Sequence, residues 1–167
     1  SPTDKTTLAE IDALLQKEGI RRDGNLDYIC AMFDEDYHVI GTGSCFGNTL
    51  RCFAVSSDHQ GEGLLNQIIT HLIEVQCARG NLHLFLYTKV KSARFFGDLG
   101  FYEIARVEDT LVFMENRRDG FGAYLRALEK TKTGGKSAAL VMNANPFTLG
   151  HQYLVEKAAA ACDTLHL

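Results

Sequence analysis

Thr148, Gly150 and His151 stand in the string Asn143-Ala-Asn-Pro-Phe-Thr-Leu-Gly-His151, between the apolar run Ala138 to Met142 and a segment carrying Tyr153, Leu154 and Ala158 to Ala161. That order predicts a buried strand, a loop over Asn143 to Leu149 and a helix from Gly150 onward, so the three residues meet the first helical turn. A hydroxyl, a glycine that lets a phosphate or base lie against bare backbone, and an imidazole able to donate N–H or positive charge are thereby gathered where helix amides favour an anion. Such a set can neutralise charge growing on a phosphoryl oxygen or a pyrophosphate leaving group. A histidine at a helix start is by itself more often a cap or a packed residue. The whole string behind a strand is what favours the functional reading.

A second stretch of the same kind runs from Leu50 to His71. The β-like run Leu50 to Val55 passes through Ser56-Ser57-Asp58 and reaches Gln60-Gly61-Glu62-Gly63 where an apolar-periodic segment begins. A strand feeding a glycine turn that opens a helix turns several backbone N–H groups into one concavity, which suits a phosphate or pyrophosphate. Two glycines alone are more readily read as a tight turn that binds nothing.

The elements that hold these stretches follow from periodicity. Thr7-x-x-Glu10 has the form of a capping box before Leu8, Ile11, Leu14 and Leu15 at helical spacing, with Gly19 as a stop. Asp27 to Phe33 and Tyr37 to Phe46 alternate as a hairpin around Asp34-Glu35-Asp36, and Leu50 to Val55 lies beside it as a third strand. Leu64, Leu65, Ile68, Ile69, Leu72 and Ile73 mark a helix with a broad apolar face. Asn81 to Tyr87 reads as a central strand, Lys91 to Asp98 as a short helix ended by Gly100, and Phe101 to Val107 with Thr110 to Glu115 as a last hairpin. The sum is an α/β chain with a mixed sheet and helices on both faces. Domains are expected at residues 1–118 and 137–167, separated by a short helix and charged linker over 119–136. Gly135-Lys136-Ser137 imitates the end of a phosphate loop but precedes a strand instead of following one, so it is set aside.

Composition narrows the classes. A net charge of -4 gives no reason to expect nucleic acid. No apolar run approaches the ~20 residues of a membrane span, and a signal-peptide core is missing from the N-terminus, so a cytoplasmic protein without membrane contact is expected. Cysteines 30, 45, 52, 77 and 162 form no C-x-x-C pair, which argues against a zinc site or a disulfide framework and leaves reduced, largely buried thiols.

Strand, Gln60-Gly61-Glu62-Gly63, helix, apolar strand and Ser92-Ala-Arg-Phe-Phe-Gly-Asp-Leu-Gly-Phe101 together resemble the GNAT acyltransferase family over residues 1 to 118. The resemblance implies that Val55, Gln60, Gly61, Glu62, Gly63 and Leu64 hold the pyrophosphate of coenzyme A or of a CoA-like group. It departs at Leu65, where the family has a small residue, and at Phe96, where the family usually has a tyrosine that protonates the departing thiolate. An ordinary acetyltransferase is thereby less favoured than CoA or pantetheine binding.

Asn143 to His151 resembles the T/H-x-G-H signature of the nucleotidyltransferase superfamily, with Thr148 at the first position. What that implies is a Rossmann-like domain in which Thr148 and His151 contact the triphosphate and stabilise the transition state, Asn143, Asn145 and Phe147 shape the ATP pocket, and Gly150 faces the base. A GNAT-like module followed by this signature is similar in layout to the citrate (pro-3S)-lyase ligase family. That resemblance implies a ligase that activates acetate with ATP, magnesium accompanying the nucleotide, and acetylates the thiol of a CoA-like prosthetic group on the citrate lyase acyl-carrier subunit. AMP and pyrophosphate would leave. A nucleotide-binding α/β domain needs several parallel strands, so the expectation is a chain cut short after Leu167, inactive as a ligase by itself. Two alternatives stay open, an acetyl-CoA-dependent acetyltransferase and a non-enzymatic module that docks the carrier.

Overall fold

The computed structural model describes residues 4–132 and 134–167, so residues 1–3 of the expected first domain and Thr133 of the expected linker lie outside the described residues. Two compact units divide the chain at Phe121 and Gly122.

The first unit opens with helix α1 (Lys5–Lys17), whose N-cap is Asp4. The expected cap at Thr7 is corrected: the Asp4 carboxylate accepts the Thr7 backbone N–H at 2.8 Å, one turn earlier. Glu10 is thereby free for another task and accepts the Val39 N–H at 2.9 Å, tying α1 to the sheet. The sheet has the order β1 (Tyr28–Phe33), β2 (Val39–Phe46), β3 (Thr49–Val55), β4 (Phe85–Thr88), β6 (Leu111–Glu115) and β5 (Tyr102–Val107). In this sheet, among the described residues, the one parallel pair is β3 with β4, as it must be when helix α2 (Leu64–Ala78) crosses over between them. Strand β4 starts later than Asn81 because Gln76 takes that segment: its backbone carbonyl accepts Asn81 N–H, and its side-chain oxygen accepts Asn81 Nδ2.

Neighbouring residues of β3 report both faces of the sheet. Ala54 packs with Ile11, Leu14, Leu15 and Ile29 beneath α1, whereas Val55 packs with the cluster of Ile68, Ile69, Leu72, Leu86 and Phe96. That second cluster belongs to α2 and to the short helix α3 (Ala93–Asp98). Helix α2 lies close on β2 because glycines stand beneath it. A Cβ on Gly43 would come within 2.5 Å of Ile68 Cγ2 and 2.9 Å of Leu72 Cδ1.

Helix α4 (Gly120–Glu129) begins where the first unit ends. The second unit contains β7 (Ser137–Ala139) and β8 (Thr164–His166), parallel and joined through helix α5 (Leu149–Ala159) as a βαβ unit; the strand β8 adds to the one strand and helix expected. The expectation of a buried strand from Ala138 to Met142 is corrected. Strand β7 ends at Ala139, Leu140 N–H donates a last bond to the His166 carbonyl at 2.9 Å, and Val141 is fully exposed beyond a sheet that has two strands among the described residues. Lys136 donates its backbone N–H to Asp163 at 2.7 Å, so the Gly135-Lys136-Ser137 turn spends that amide on the β7–β8 end. Among the described residues, no helix is long and apolar enough to cross a membrane.

Candidate functional site

In the first unit, a break in strand pairing makes the site. Strands β3 and β4 are in register only at Thr49 with Phe85 and Leu50 with Leu86, and beyond those pairs they diverge. The cause sits in β3. Its pairing with β2 jumps from Arg51–Ser44 to Ala54–Thr42, so Cys52 and Phe53 together face Gly43, a bulge with Cys52 at φ 52° that bends the strand. The gap between the strands is the mouth of a cleft of about 1130 Å³.

Five of the six residues expected to hold a pyrophosphate line that cleft: Val55, Gln60, Gly61, Gly63 and Leu64. Glu62 does not, because its carboxylate turns to His59, 3.3 Å from Nδ1. Gly61 and Gly63 have φ of 97° and 74°, a left-handed backbone that a side chain adopts only with strain, and the space a Cβ would fill is empty at both. Gly63 is the N-cap of α2 and supplies no side-chain cap, so amides of the first turn keep their donors for a guest. A glycine-edged, positively polarised concavity results, as an anionic pyrophosphate requires.

Apolar surface continues the cleft inward. Phe53, Phe95 and Phe96 line it, and Phe96 is buried edge-on against Phe95 and Phe101. No hydroxyl is offered from that position of α3. At the C-terminal end of β4 the lining includes Tyr87, Thr88 and Lys89, with Arg51 and Cys52 across from them on β3. The Arg51 guanidinium is held by Asp23 at 3.0 Å and lies 5.9 Å from the Tyr87 ring centroid. Burial pushes the Cys52 thiol above its ordinary pKa, which keeps it protonated and unreactive at neutral pH. Sequence reasoning missed these residues. The available signal was the rule that guests enter at the carboxyl ends of parallel strands, applied to Tyr87-Thr88-Lys89.

The second unit holds the other candidate. Thr148 is the N-cap of α5, with Gly150 and His151 in the first turn, where the sequence puts them. The cap is reciprocal: Thr148 N–H donates to His151 Nδ1 at 3.0 Å, Thr148 Oγ1 lies 2.9 Å from the same nitrogen, and His151 N–H points back to Oγ1 at 3.5 Å. Phe147 is exposed, its ring 5.8 Å from that of His151. Asn143 and Asn145 lie on the exposed loop between β7 and α5. Thr148, Gly150, His151 and Phe147 are therefore brought together, whereas the two asparagines share only their loop.

Comparison with known proteins bears on both units. A citrate (pro-3S)-lyase ligase of Klebsiella pneumoniae is 39% identical over 165 residues, which is 98% of this chain and 48% of that protein. The ligase of the same name from Escherichia coli K12 is 37% identical over 161 residues, covering 96% of this chain and 46% of its own length. Residues 137–167 match the family described as citrate lyase ligase C-terminal domain. Over nearly its whole length this chain is similar to citrate lyase ligases. The chain spans about half the length of the curated relatives it matches. By fold, Escherichia coli ElaA superposes with a TM-score of 0.59 at 12% identity, over 69% of this chain and 93% of the other. An acetyltransferase of the GNAT family from Staphylococcus aureus superposes at 0.58 and 12% identity, over 69% of this chain and 95% of the other. These likenesses show a GNAT-like fold over 69% of the chain, as expected from its sequence.

Proposed function

We propose that the chain serves an ATP-dependent acid–thiol ligase whose two units divide the labour. The oxygen of acetate attacks the α-phosphorus of ATP, pyrophosphate leaves, and the thiol of a CoA-like group then gives up its proton and displaces AMP from the acetyl carbon. The observation that supports this reading is the presence, in one chain similar to named ligases, of a glycine-edged cleft of about 1130 Å³ lined by Gly61 and Gly63 and a helix N-terminus capped by Thr148 and His151.

In the first unit, Val55, Gln60, Gly61, Gly63 and Leu64 would cradle the pyrophosphate, and the Phe53–Phe96 wall would guide an apolar pantetheine arm toward Cys52 and Tyr87. A thiol that enters as nucleophile must lose a proton. That fits a cleft with phenylalanine at position 96, since no acid is then aimed at the sulfur. In the second unit, His151 would donate to a phosphoryl oxygen and Gly150 would let the nucleotide approach α5, with Asn143, Asn145 and Phe147 beside it. Among the described residues, no group of three or more His, Cys, Asp and Glu side chains could hold a metal. Magnesium would come with the nucleotide, held by its phosphates, and would shield their charge. The acyl-carrier subunit of citrate lyase is the partner this reading requires, and the cytoplasm the compartment.

Acetate-dependent exchange of labelled pyrophosphate into ATP tests the reading in the full-length protein. Exchange is expected in the parent and a loss of at least tenfold in His151→Ala. An acetyltransferase, the reading favoured by the GNAT-like fold alone, would turn over acetyl-CoA without ATP and show no exchange. A docking module would do neither.

A further inference from the structure

The cap of α5 decides which nitrogen of His151 can face a ligand. An imidazole nitrogen that accepts a hydrogen bond carries no proton, and Nδ1 accepts the Thr148 backbone N–H at 3.0 Å. The Thr148 hydroxyl, 2.9 Å from that same nitrogen, can meet a lone pair only as a donor, and its own lone pairs remain available to the His151 backbone N–H. Both contacts agree on one form of the ring. The neutral imidazole must then carry its single proton on Nε2, the nitrogen on the opposite side of the ring from the cap.

We infer that Thr148 is a positioning residue: it holds His151 as the Nε2–H tautomer, so that the imidazole presents a donor, and its own hydroxyl is committed to the ring and not to the nucleotide. This rests on the adenylation reading above, but it departs from the role that the signature resemblance implies for Thr148. A threonine at the N-cap serves here as the group that orients the following histidine, with hydroxyl and main chain acting on one nitrogen. Fixing the tautomer before a ligand arrives spares the reorganisation a free imidazole would need, and such orienting partners are typically worth roughly 10–100-fold.

The test reads the ring directly. In the full-length protein, nitrogen-15 shifts of the His151 imidazole are compared in the parent, Thr148→Val and Thr148→Ser, alongside acetate-dependent ATP–pyrophosphate exchange. The expected result is Nε2–H in the parent, a measurable share of Nδ1–H with exchange lowered about tenfold in the valine variant, and recovery of both by serine, which retains the hydroxyl. An Nδ1–H ring in the parent overturns the inference. So does a valine variant that loses exchange while its tautomer stays that of the parent, since Thr148 would then touch the nucleotide itself. A shifted tautomer with undiminished exchange overturns the positioning role as well. A parent with no exchange at all removes the adenylation reading, and the shifts of the three proteins still decide whether Thr148 controls the ring.

Discussion

Glu115, at the end of β6, places one carboxylate oxygen 2.5 Å from Nε2 of His83 and gives the other to the backbone N–H of Phe121 at 2.8 Å. The carboxylate is almost wholly buried, and a Cβ on Gly120 would collide with it, so the chain at the root of α4 is pressed against the end of the sheet. One side chain thus satisfies both a neighbouring loop and a helix start. Replacing it with an apolar residue strands the Phe121 amide and leaves His83 without its anion. Glu115→Leu is expected to cost about 2–3 kcal/mol in denaturant unfolding, and Glu115→Gln, which keeps an acceptor, about half of that. A leucine variant within about 0.5 kcal/mol of the parent would show that the pair does not anchor the helix.

Glycine substitutions should act in opposite directions at two positions of the first unit. At Gly43 a methyl group meets Ile68 and Leu72 at 2.5 and 2.9 Å, and α2 must shift to accept it. Gly43→Ala is expected to destabilise by about 1–3 kcal/mol through overpacking. Gly97 sits inside α3, and nothing lies within 4 Å of the point a Cβ would occupy, so Gly97→Ala should stabilise by about 0.5–1 kcal/mol. Thermal unfolding of both variants checks the pair. Equal shifts of the same sign would contradict the close seat of α2 on β2.

Thiol labelling offers a pH-dependent readout of the cleft. Burial raises the Cys52 pKa above its ordinary value and pushes that of Cys30 up to about 11, whereas Cys77 is exposed. A raised pKa means less thiolate at neutral pH, so maleimide should modify Cys77 first, and the Cys52 rate should climb only in the alkaline range above the ordinary thiol pKa. Because Cys52 lines the cleft, coenzyme A should slow its labelling further without affecting Cys77. Peptide mapping by mass spectrometry measures each rate. Cys52 labelling as fast as Cys77 at neutral pH, or indifferent to coenzyme A, would contradict this placement.

Local chemistry made part of this structure legible from the chain alone. Gly61 and Gly63 announced a positive-φ turn, the Leu64–Leu72 periodicity a helix, and Thr148-Leu-Gly-His a helix start, because each is settled within a few residues. What escaped was set at long range. The separation of β3 from β4 depends on a bulge that exists only when Cys52 and Phe53 face Gly43 across the sheet. Nothing in Leu50 to Val55 signals it. The Asp4 cap was hidden by a better-known pattern at Thr7 and Glu10, and the Glu10 carboxylate was claimed by Val39, 29 residues away. Glu62 left the cradle through a local contact instead, drawn by His59 three positions earlier.

The most direct test is calorimetric titration of the chain with coenzyme A or dephospho-CoA, repeated with Gly63→Asp. Aspartate at the N-cap of α2 places a negative charge where the cradle must receive a pyrophosphate; the space there is open, and the left-handed φ of 74° is one that aspartate adopts at a smaller cost than most side chains. Saturable binding by the parent and at least a tenfold weaker affinity in the variant, with unchanged circular dichroism, is the predicted result. No binding by the parent, or equal binding by both, would contradict the cleft as the seat of the CoA-like group.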